Sequence, residues 1–293
     1  MPAVGNPHGD RFASISVIIV AFQSAHVIDR AISSIGPCRE IICVDNASSD
    51  GIETILSDRD VVHIRNEHNQ GYPRACNRGA EIATGEFLLF MNPDVELGAD
   101  ALAALAMAVE RYPDVDVFTP RTVTGEGKSW YRVTTKFERL RNPSSLRLSG
   151  KVVGDCCVRF VDGGVFLIRR STFLALGGLD ERIFMYFEDD DLSLRLLAAG
   201  HKIVYVHDAM AVHRIGTSCY PSRRYVACKA FHKKRSEFYF NAKYGIPTNI
   251  NRERLAAFAK MLVYCLTLRP GRALAAYGRL RGVLSLTKTN RGE

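Results

Sequence analysis

Two hydrophobic patterns alternate along this chain of 293 residues. Ser16–Phe22 (SVIIVAF) and Glu40–Val44 (EIICV) are short runs of mostly β-branched apolar residues, the pattern of strands buried on both faces. Between them Val27, Ile28, Ala31, Ile32 and Ile35 recur at helical spacing, and Gly36-Pro37 closes the run. Val61–Arg65 reads as a third strand and Tyr72–Ala83 as a helix opened by a glycine-rich turn. Glu86–Met91 (EFLLFM) is a fourth strand, Ala99–Tyr112 an Ala/Leu-rich helix and Val115–Thr119 a fifth strand. This β-α-β-α alternation predicts an α/β fold with a mostly parallel central sheet and helices on both faces. In such sheets ligands bind beyond the carboxyl ends of the strands.

Thr122–Gly154 is less regular and reads as an insertion or substrate loop, with the only tryptophan, Trp130, inside it. Order returns at Phe160–Arg169. A helix begins near Ser171 and ends at Gly177-Gly178, and Asp189–Ala199 is a further helix stopped by Gly200. Lys202–Val206 reads as a strand, and Ala209–Val212 is strand-like. Beyond Tyr220 the chain turns helical and basic. The expected organisation is a loose leader (1–14), an α/β domain (15–220) and a basic helical C-terminal region (221–293).

Composition narrows the class. Hydrophobic residues make up 47% and charged residues 24%, which excludes a disordered chain, a coiled coil or a collagen-like fibre. Eight cysteines occur without a CxxC, against a zinc ribbon or thioredoxin-like motif. With no secretory h-region at the start and no long uninterrupted apolar stretch, a reducing cytoplasm is the expected compartment. The net charge of +8 is uneven: residues 223–293 hold 16 Lys+Arg against 3 Asp+Glu, and the preceding body is mildly acidic at −5. A tail carrying +13 points to contact with something anionic.

Five places could carry chemistry. Asp45 ends a strand and is followed by Asn46, Ser48 and Asp50. A carboxylate there can accept from a base imide or a ribose hydroxyl, although Ser49 or Asp50 also suits a helix cap. Gly71, after Asn69-Gln70, permits close backbone approach, and Arg74 in the next helical turn would favour phosphate; a plain glycine turn before a helix looks the same. Asn92-Pro93-Asp94 follows the fourth strand, either as a common turn or with Asp94 as an oxygen ligand for Mg²⁺ or Mn²⁺. Glu188-Asp189-Asp190-Asp191 opens a helix. First-turn acids complement the helix dipole, but four mutually repelling carboxylates exceed that need and suit a general base. His213, after Ala209–Val212, suits a structural role, a metal position or a phosphate contact.

Together, in order, SVIIVAF, VDNASSDG, NQGYPRACNRG, FMNPDV, GGLDERIFMYFEDDDLSLRLLAAG and HRIGTS resemble the signature segments of family 2 glycosyltransferases, of the inverting GT-A type. The resemblance runs from about Ser16 to Ser218, and the Asn-Pro-Asp form and the GG-D-F-EDxDL-R region look most like its rhamnosyltransferase-like branch. It implies a Rossmann-like GT-A fold and a nucleotide-sugar donor. Asp45 would contact the base, with Phe22, Asn46, Gly71, Arg74 and Asn92 on the donor nucleotide. Asp94 would be the carboxylate of a DxD-like motif in which Asn92 replaces the first Asp, and His213 would complete binding of Mg²⁺ or Mn²⁺. Asp189, of the Glu188-Asp189 pair, would be the catalytic base. Asp162, Gly163, Gly164 and Trp130 would lie by the acceptor and donor sugar. The expected reaction moves a sugar, rhamnose as first choice, to a hydroxyl of a saccharide or lipid-linked saccharide acceptor in cell-surface polysaccharide synthesis. A UDP-hexose donor is the alternative.

Other classes fit less well. A sugar-nucleotide nucleotidyltransferase would show a Gly-rich, Arg-containing loop after the first strand, where this chain has AFQSAHVID. No GxGxxG follows that strand, which disfavours a dehydrogenase. No nucleic-acid-binding module accompanies the basic tail, and the acidic body opposes that reading. For the tail, the expectations are peripheral contact with the inner face of the cytoplasmic membrane, or packing on the catalytic domain or a second subunit.

Overall fold

The computed structural model describes residues 14–129, 132–141, 152–219 and 222–289. The chain divides into two compact units. The first holds the described residues up to Asp180 together with Asp189–Cys219; the second holds Glu181–Glu188 and the described residues from 222 onward.

The first unit is built on a sheet of nine strands. The strands are β1 (Ile15–Ala21), β2 (Glu40–Asp45), β3 (Val62–Arg65), β4 (Phe87–Met91), β5 (Val95–Leu97), β6 (Val117–Thr124), β7 (Cys156–Val158), β8 (Val165–Arg169) and β9 (Ile203–His213). They run in the order β3-β2-β1-β4-β8-β6-β9-β5, with β7 beside β9. The half formed by β3, β2, β1 and β4 is parallel throughout. β8 is antiparallel to β4 and β6, β6 and β9 are parallel, and β5 and β7 are antiparallel to β9.

The helices are α1 (Ala25–Ser33), α2 (Ile52–Ser57), α3 (Tyr72–Ile82), α4 (Ala101–Arg111), α5 (Lys136–Arg141), α6 (Arg170–Ala175) and α7 (Glu188–Ala198). Successive strand residues point to opposite faces, so one apolar run feeds two cores. Val17, Ile19 and Leu89 pack with Ile28 and Ile32 of α1, Leu56 of α2 and Leu105 of α4. Ile18, Val20, Ile42 and Phe90 pack on the other face with Ala75 and Cys76 of α3, Phe173 of α6 and Leu192 of α7.

Three features of this sheet depend on pairing that the sequence pattern hides. β5 has three residues and exists through its register with β9, Val95 opposite His213. The segments read as Lys202–Val206 and Ala209–Val212 are one strand, β9, continuous through His207-Asp208. β6 runs on past Thr119 to Thr124 with a register shift between Pro120 and Arg121. Within the stretch read as an irregular insertion, α5 and part of β6 are ordered elements, and Trp130 lies outside the described residues.

The second unit contains α8 (Arg223–Lys243), α9 (Ile250–Leu266) and α10 (Pro270–Thr289). Ser222 caps α8 by accepting from the Tyr225 N–H at 3.0 Å, and Asn249 caps α9 by accepting from the Arg252 N–H at 2.9 Å. Glu181–Glu188 packs on α8: the rings of Phe184 and His232 stack at 3.7 Å, and those of Phe187 and Phe240 lie 5.4 Å apart. Tyr186 and Phe187 both take left-handed backbone (φ 64° and 75°), a conformation unfavourable for bulky residues and held here by that packing.

In the first unit α3 lies so close to the sheet that a Cβ on Gly79 would sit 2.6 Å from Ile18 Cγ2 and 3.3 Å from Val44 Cγ2. Gly79→Val is therefore expected to cost about 1–3 kcal/mol of stability through overpacking. Gly36→Ala, where a Cβ meets nothing within 4 Å, is expected to leave stability unchanged. Chemical denaturation of both variants checks this, and equal midpoints would remove the close helix–sheet contact.

Candidate active site

β2, β1 and β4 are adjacent and parallel, so the residues after their carboxyl ends meet at one edge of the sheet. Asp45 ends β2 and is fully buried. Its Oδ1 accepts from the Ser48 N–H at 2.9 Å and the Ser48 hydroxyl at 2.5 Å, and its Oδ2 from Arg65 at 3.1 Å. The Ser48 hydroxyl accepts in turn from the Gln23 N–H at 2.9 Å, which ties the loop after β1 to the loop after β2. Asn46 donates to the Gly71 carbonyl at 3.1 Å and accepts from Asn66 at 2.7 Å. Gly71 precedes α3 at φ 91°, in the region that favours glycine. The Phe22 carbonyl accepts from the Cys219 thiol at 2.7 Å, and the Ser24 hydroxyl donates to the Ser218 carbonyl at 2.7 Å. The segment after β9 is thereby stitched to the end of β1.

A second cluster follows β4. The Asn92 N–H donates to the Gly164 carbonyl at 2.9 Å. Asp94 is nearly fully buried; its Oδ2 accepts from the Thr217 N–H at 3.2 Å and its Oδ1 lies 3.4 Å from His213 Nε2. His213 is the last residue of β9, placed opposite Val95 by the short β5. The loop Asp162-Gly163-Gly164 passes between His213 and Asp189. A Cβ on Gly164 would lie 2.8 Å from His213 Cε1 and Nδ1, and one on Gly163 would lie 3.0 Å from Asp189 Cβ. The Gly163 carbonyl accepts from the Tyr72 hydroxyl at 3.1 Å, which joins this cluster to α3.

The four consecutive acids divide. Asp190 accepts from Arg132 and from the Lys136 N–H, and so anchors the start of α5. Asp191 is fully buried and pairs with Arg195 at 2.8 Å. Glu188 opens α7 as the last residue of the second unit's segment. Asp189 is half-buried beside Gly163. Ser193 fixes its backbone: the hydroxyl donates to the Asp189 carbonyl at 2.6 Å and accepts from the Val161 N–H at 2.9 Å.

Desolvation by the surrounding protein, with the charge of Asp190 and a smaller contribution from Asp162, pushes the Asp189 carboxyl up to about 7 against the pull of Arg132 and the Asp190 N–H. For His213, burial opposes the imidazolium, but the Asp94 carboxylate beside it and, to a lesser extent, the charge of Asp162 outweigh it and raise the pKa.

Among the described residues no group of three or more His, Cys, Asp or Glu side chains converges as a complete metal site. The Asp94–His213 pair nevertheless suits a divalent cation. Asp94 Oδ1 is buried without a hydrogen bond and lies 3.4 Å from His213 Nε2, and a carboxylate with an imidazole makes a partial shell for an ion completed by phosphate oxygens and water.

The structure thus brings Phe22, Asp45, Asn46 and Gly71 together on one side, and Asn92, Asp94, Asp162, Gly163, Gly164, Asp189 and His213 on the other. Arg74 is exposed on α3, and the basic groups shown at the first cluster are Arg65, on Asp45, and Arg78, on Asn66. Trp130, outside the described residues, is placed in neither. Sequence reading did not single out Arg65, Arg132, Ser193 or Thr217. Thr217 lies inside the HRIGTS segment; nothing local marks Arg132, which acts from an irregular stretch.

The fold is that of GT-A glycosyltransferases. The chain superposes on Staphylococcus aureus TarS 1-349 with a TM-score of 0.55 at 15% identity, over 96% of this chain and 92% of that one. It matches the mannosyltransferase PcManGT of Pyrobaculum calidifontis, solved with GDP-Man and Mn²⁺, with a TM-score of 0.55 at 17% identity, over 96% and 88%. The family model for glycosyl transferase family 2 matches residues 16–177, and the chain belongs to that family. Relatives include the N-acetylglucosaminyl-diphospho-decaprenol L-rhamnosyltransferase of Mycobacterium tuberculosis, 28% identical over 68% of this chain and 75% of that protein. The rhamnosyltransferase WbbL of Escherichia coli is 30% identical over 60% of this chain and 69% of its own length. The protein is a glycosyltransferase.

The raised Asp189 pKa has a thermodynamic consequence. Between its ordinary 3.8 and about 7 the folded state holds a proton that the unfolded state releases, so this group's contribution to stability falls as pH rises through that window. Asp189→Asn is expected to remove this fall and to melt at a higher temperature than the native protein at pH 8. A lower melting temperature for the variant at pH 8 would contradict the placement of the carboxyl.

Proposed function

We propose that the protein is an inverting transferase that moves a sugar, rhamnose as first choice, from a nucleoside-diphosphate sugar to a hydroxyl of a saccharide or lipid-linked saccharide acceptor. The observation that carries this reading is the half-buried Asp189 carboxyl, raised to about 7 and held beside the Gly163-Gly164 loop, with Asp94 and His213 on the loop's other side. The names of the relatives in Mycobacterium tuberculosis and Escherichia coli support rhamnose as the sugar and, for the first, a diphospho-decaprenol-linked acceptor.

The chain's own residues then have distinct tasks. The Asp45–Ser48–Gln23 network and the Asn46–Gly71 contact shape the loops that receive the base and ribose. Asp189 takes the proton from the acceptor hydroxyl as that oxygen attacks the anomeric carbon from the face opposite the departing diphosphate. A base with a pKa near the working pH combines the correct protonation state with useful driving force. Direct displacement from that face inverts the configuration and needs no covalent intermediate. Asp94 and His213 would hold a divalent Mg²⁺ or Mn²⁺, which when bound supplies Lewis-acid neutralisation of charge on the leaving diphosphate. Ser193 and the two glycines keep the base at a set distance from the donor side, so much of the acceleration is positioning.

Asp189→Asn is expected to lower kcat/KM by roughly 10²–10⁴-fold while leaving nucleotide affinity near native. In the native enzyme kcat/KM is expected to fall as pH drops below about 7, as Asp189 becomes protonated. Full transfer by the variant would overturn the role of Asp189. Assayed across dTDP-, UDP- and GDP-sugars, preference for dTDP-rhamnose would support the first choice and preference for a UDP-hexose would replace it. Exhaustive chelation is expected to abolish transfer and Mg²⁺ or Mn²⁺ to restore it; undiminished activity after chelation would remove Asp94 and His213 from metal binding.

A further inference from the structure

The second unit contains a helix with large apolar side chains turned to water. On α9 the residues turned inward are Glu253, Ala257, Met261 and Tyr264, of which only Ala257 is fully buried. The opposite face carries Leu255, Phe258, Leu262, Val263 and Leu266 at 44–83% exposure, and Leu268 just beyond the helix is 88% exposed. A water-facing stripe of large apolar side chains over a whole helix is unusual in a soluble surface and marks contact with another apolar phase.

Charge identifies the phase. Residues 223–293 carry 16 basic and 3 acidic side chains. Two of those acids, Glu237 and Glu253, close on the single ammonium of Lys234 at 2.9 and 2.6 Å, and the third, Glu293, lies outside the described residues. The exposed charges on and just after α9 are therefore cationic: Arg252, Arg254, Lys260, Arg269 and Arg272. A second copy of the chain would bring the same cations against each other, which opposes self-association through this face. An anionic bilayer surface offers both complements, phosphates for the cations and an acyl boundary for the leucines. α9 is about 26 Å long at the α-helical rise, and no helix among the described residues is long and apolar enough to cross a membrane.

We propose that α9 is a membrane-surface helix that lies in the plane of an anionic phospholipid bilayer. Leu255, Phe258, Leu262, Val263 and Leu266 enter the headgroup–acyl boundary, and the flanking arginines and lysine sit at the phosphates. The proposal stands on this surface and is independent of which sugar the enzyme transfers.

The test is cosedimentation of the full chain with phosphatidylcholine vesicles made with and without phosphatidylglycerol. The native protein is expected to bind the phosphatidylglycerol vesicles more strongly and to release as NaCl screens the cations. Phe258→Glu/Leu266→Glu is expected to weaken partitioning by about tenfold or more, because each side chain gives up its apolar burial. Arg252→Glu/Lys260→Glu is expected to weaken binding to the anionic vesicles alone. Both pairs are exposed, and circular dichroism confirms folding; if the glutamates unfold the helix, Phe258→Gln/Leu266→Gln serves in their place. No binding of native protein to anionic vesicles, or equal binding by the Phe258/Leu266 variants, would overturn the proposal. A native dimer that those same substitutions dissociate would also overturn it, making a second copy the occupant. Transfer to a water-soluble acceptor is measured alongside, so a failure of the catalytic reading is seen separately.

Discussion

At Gly163 and Gly164 the chain runs so close to Asp189 and His213 that a methyl group on either glycine would crowd them. The cluster of Asp94, Asp189 and His213 depends on that approach. The same loop receives the Tyr72 hydroxyl, and through the Gly164 carbonyl it holds the backbone of Asn92, two residues before Asp94. One short loop without side chains thus sets the spacing between a base candidate on a helix, a histidine at the end of β9 and a carboxylate after β4. A side chain there would push Asp189 and His213 away from the loop.

The placement of negative charge follows from partners rather than from numbers. Asp190 and Asp191 are consumed by Arg132, the start of α5 and Arg195, and they make the first turn of α7 rigid. Their neighbour Asp189 is desolvated by the surrounding protein and feels the charge of Asp190, and together these raise its pKa despite the backbone hydrogen bond it accepts from the Asp190 N–H and the pull of Arg132. Asp45 is fully buried as well, and its bonds to Ser48 and Arg65 tie two loops together.

Much of the parallel half of the sheet was legible in the sequence because it is built from local signals. SVIIVAF, EIICV and EFLLFM are apolar runs buried on both faces, and each is followed by a helix or a polar turn. The antiparallel half was less so. β5 is too short to show a pattern, and His207-Asp208 interrupts the apolar run of β9, where the pairing with β6 jumps from Val206 to Met210 while the strand itself runs on. In the site, the acids, glycines and histidine stood out by residue type and order. Arg65, Arg132 and Ser193 did not, since an arginine on a strand or in an irregular segment, or a serine inside a helix, has no local mark of its eventual partner.

The sequence by itself determined the alternation of strands and helices, the strand-end positions of Asp45 and Asp94, and the separation of an acidic body from a basic tail. These are properties of neighbouring residues, and periodicity, turn chemistry and charge counting reach them. Tertiary structure decided which of four adjacent acids is left beside the glycine loop, which arginine meets Asp45, and which face of α9 is turned to water. Those outcomes depend on contacts between residues far apart in the chain, such as Arg132 with Asp190 and Val161 with Ser193, and on close packing that only the folded backbone creates. A net charge of +8 could not show that two of the tail's three acids close on a single lysine and leave its apolar helix face bordered by cations.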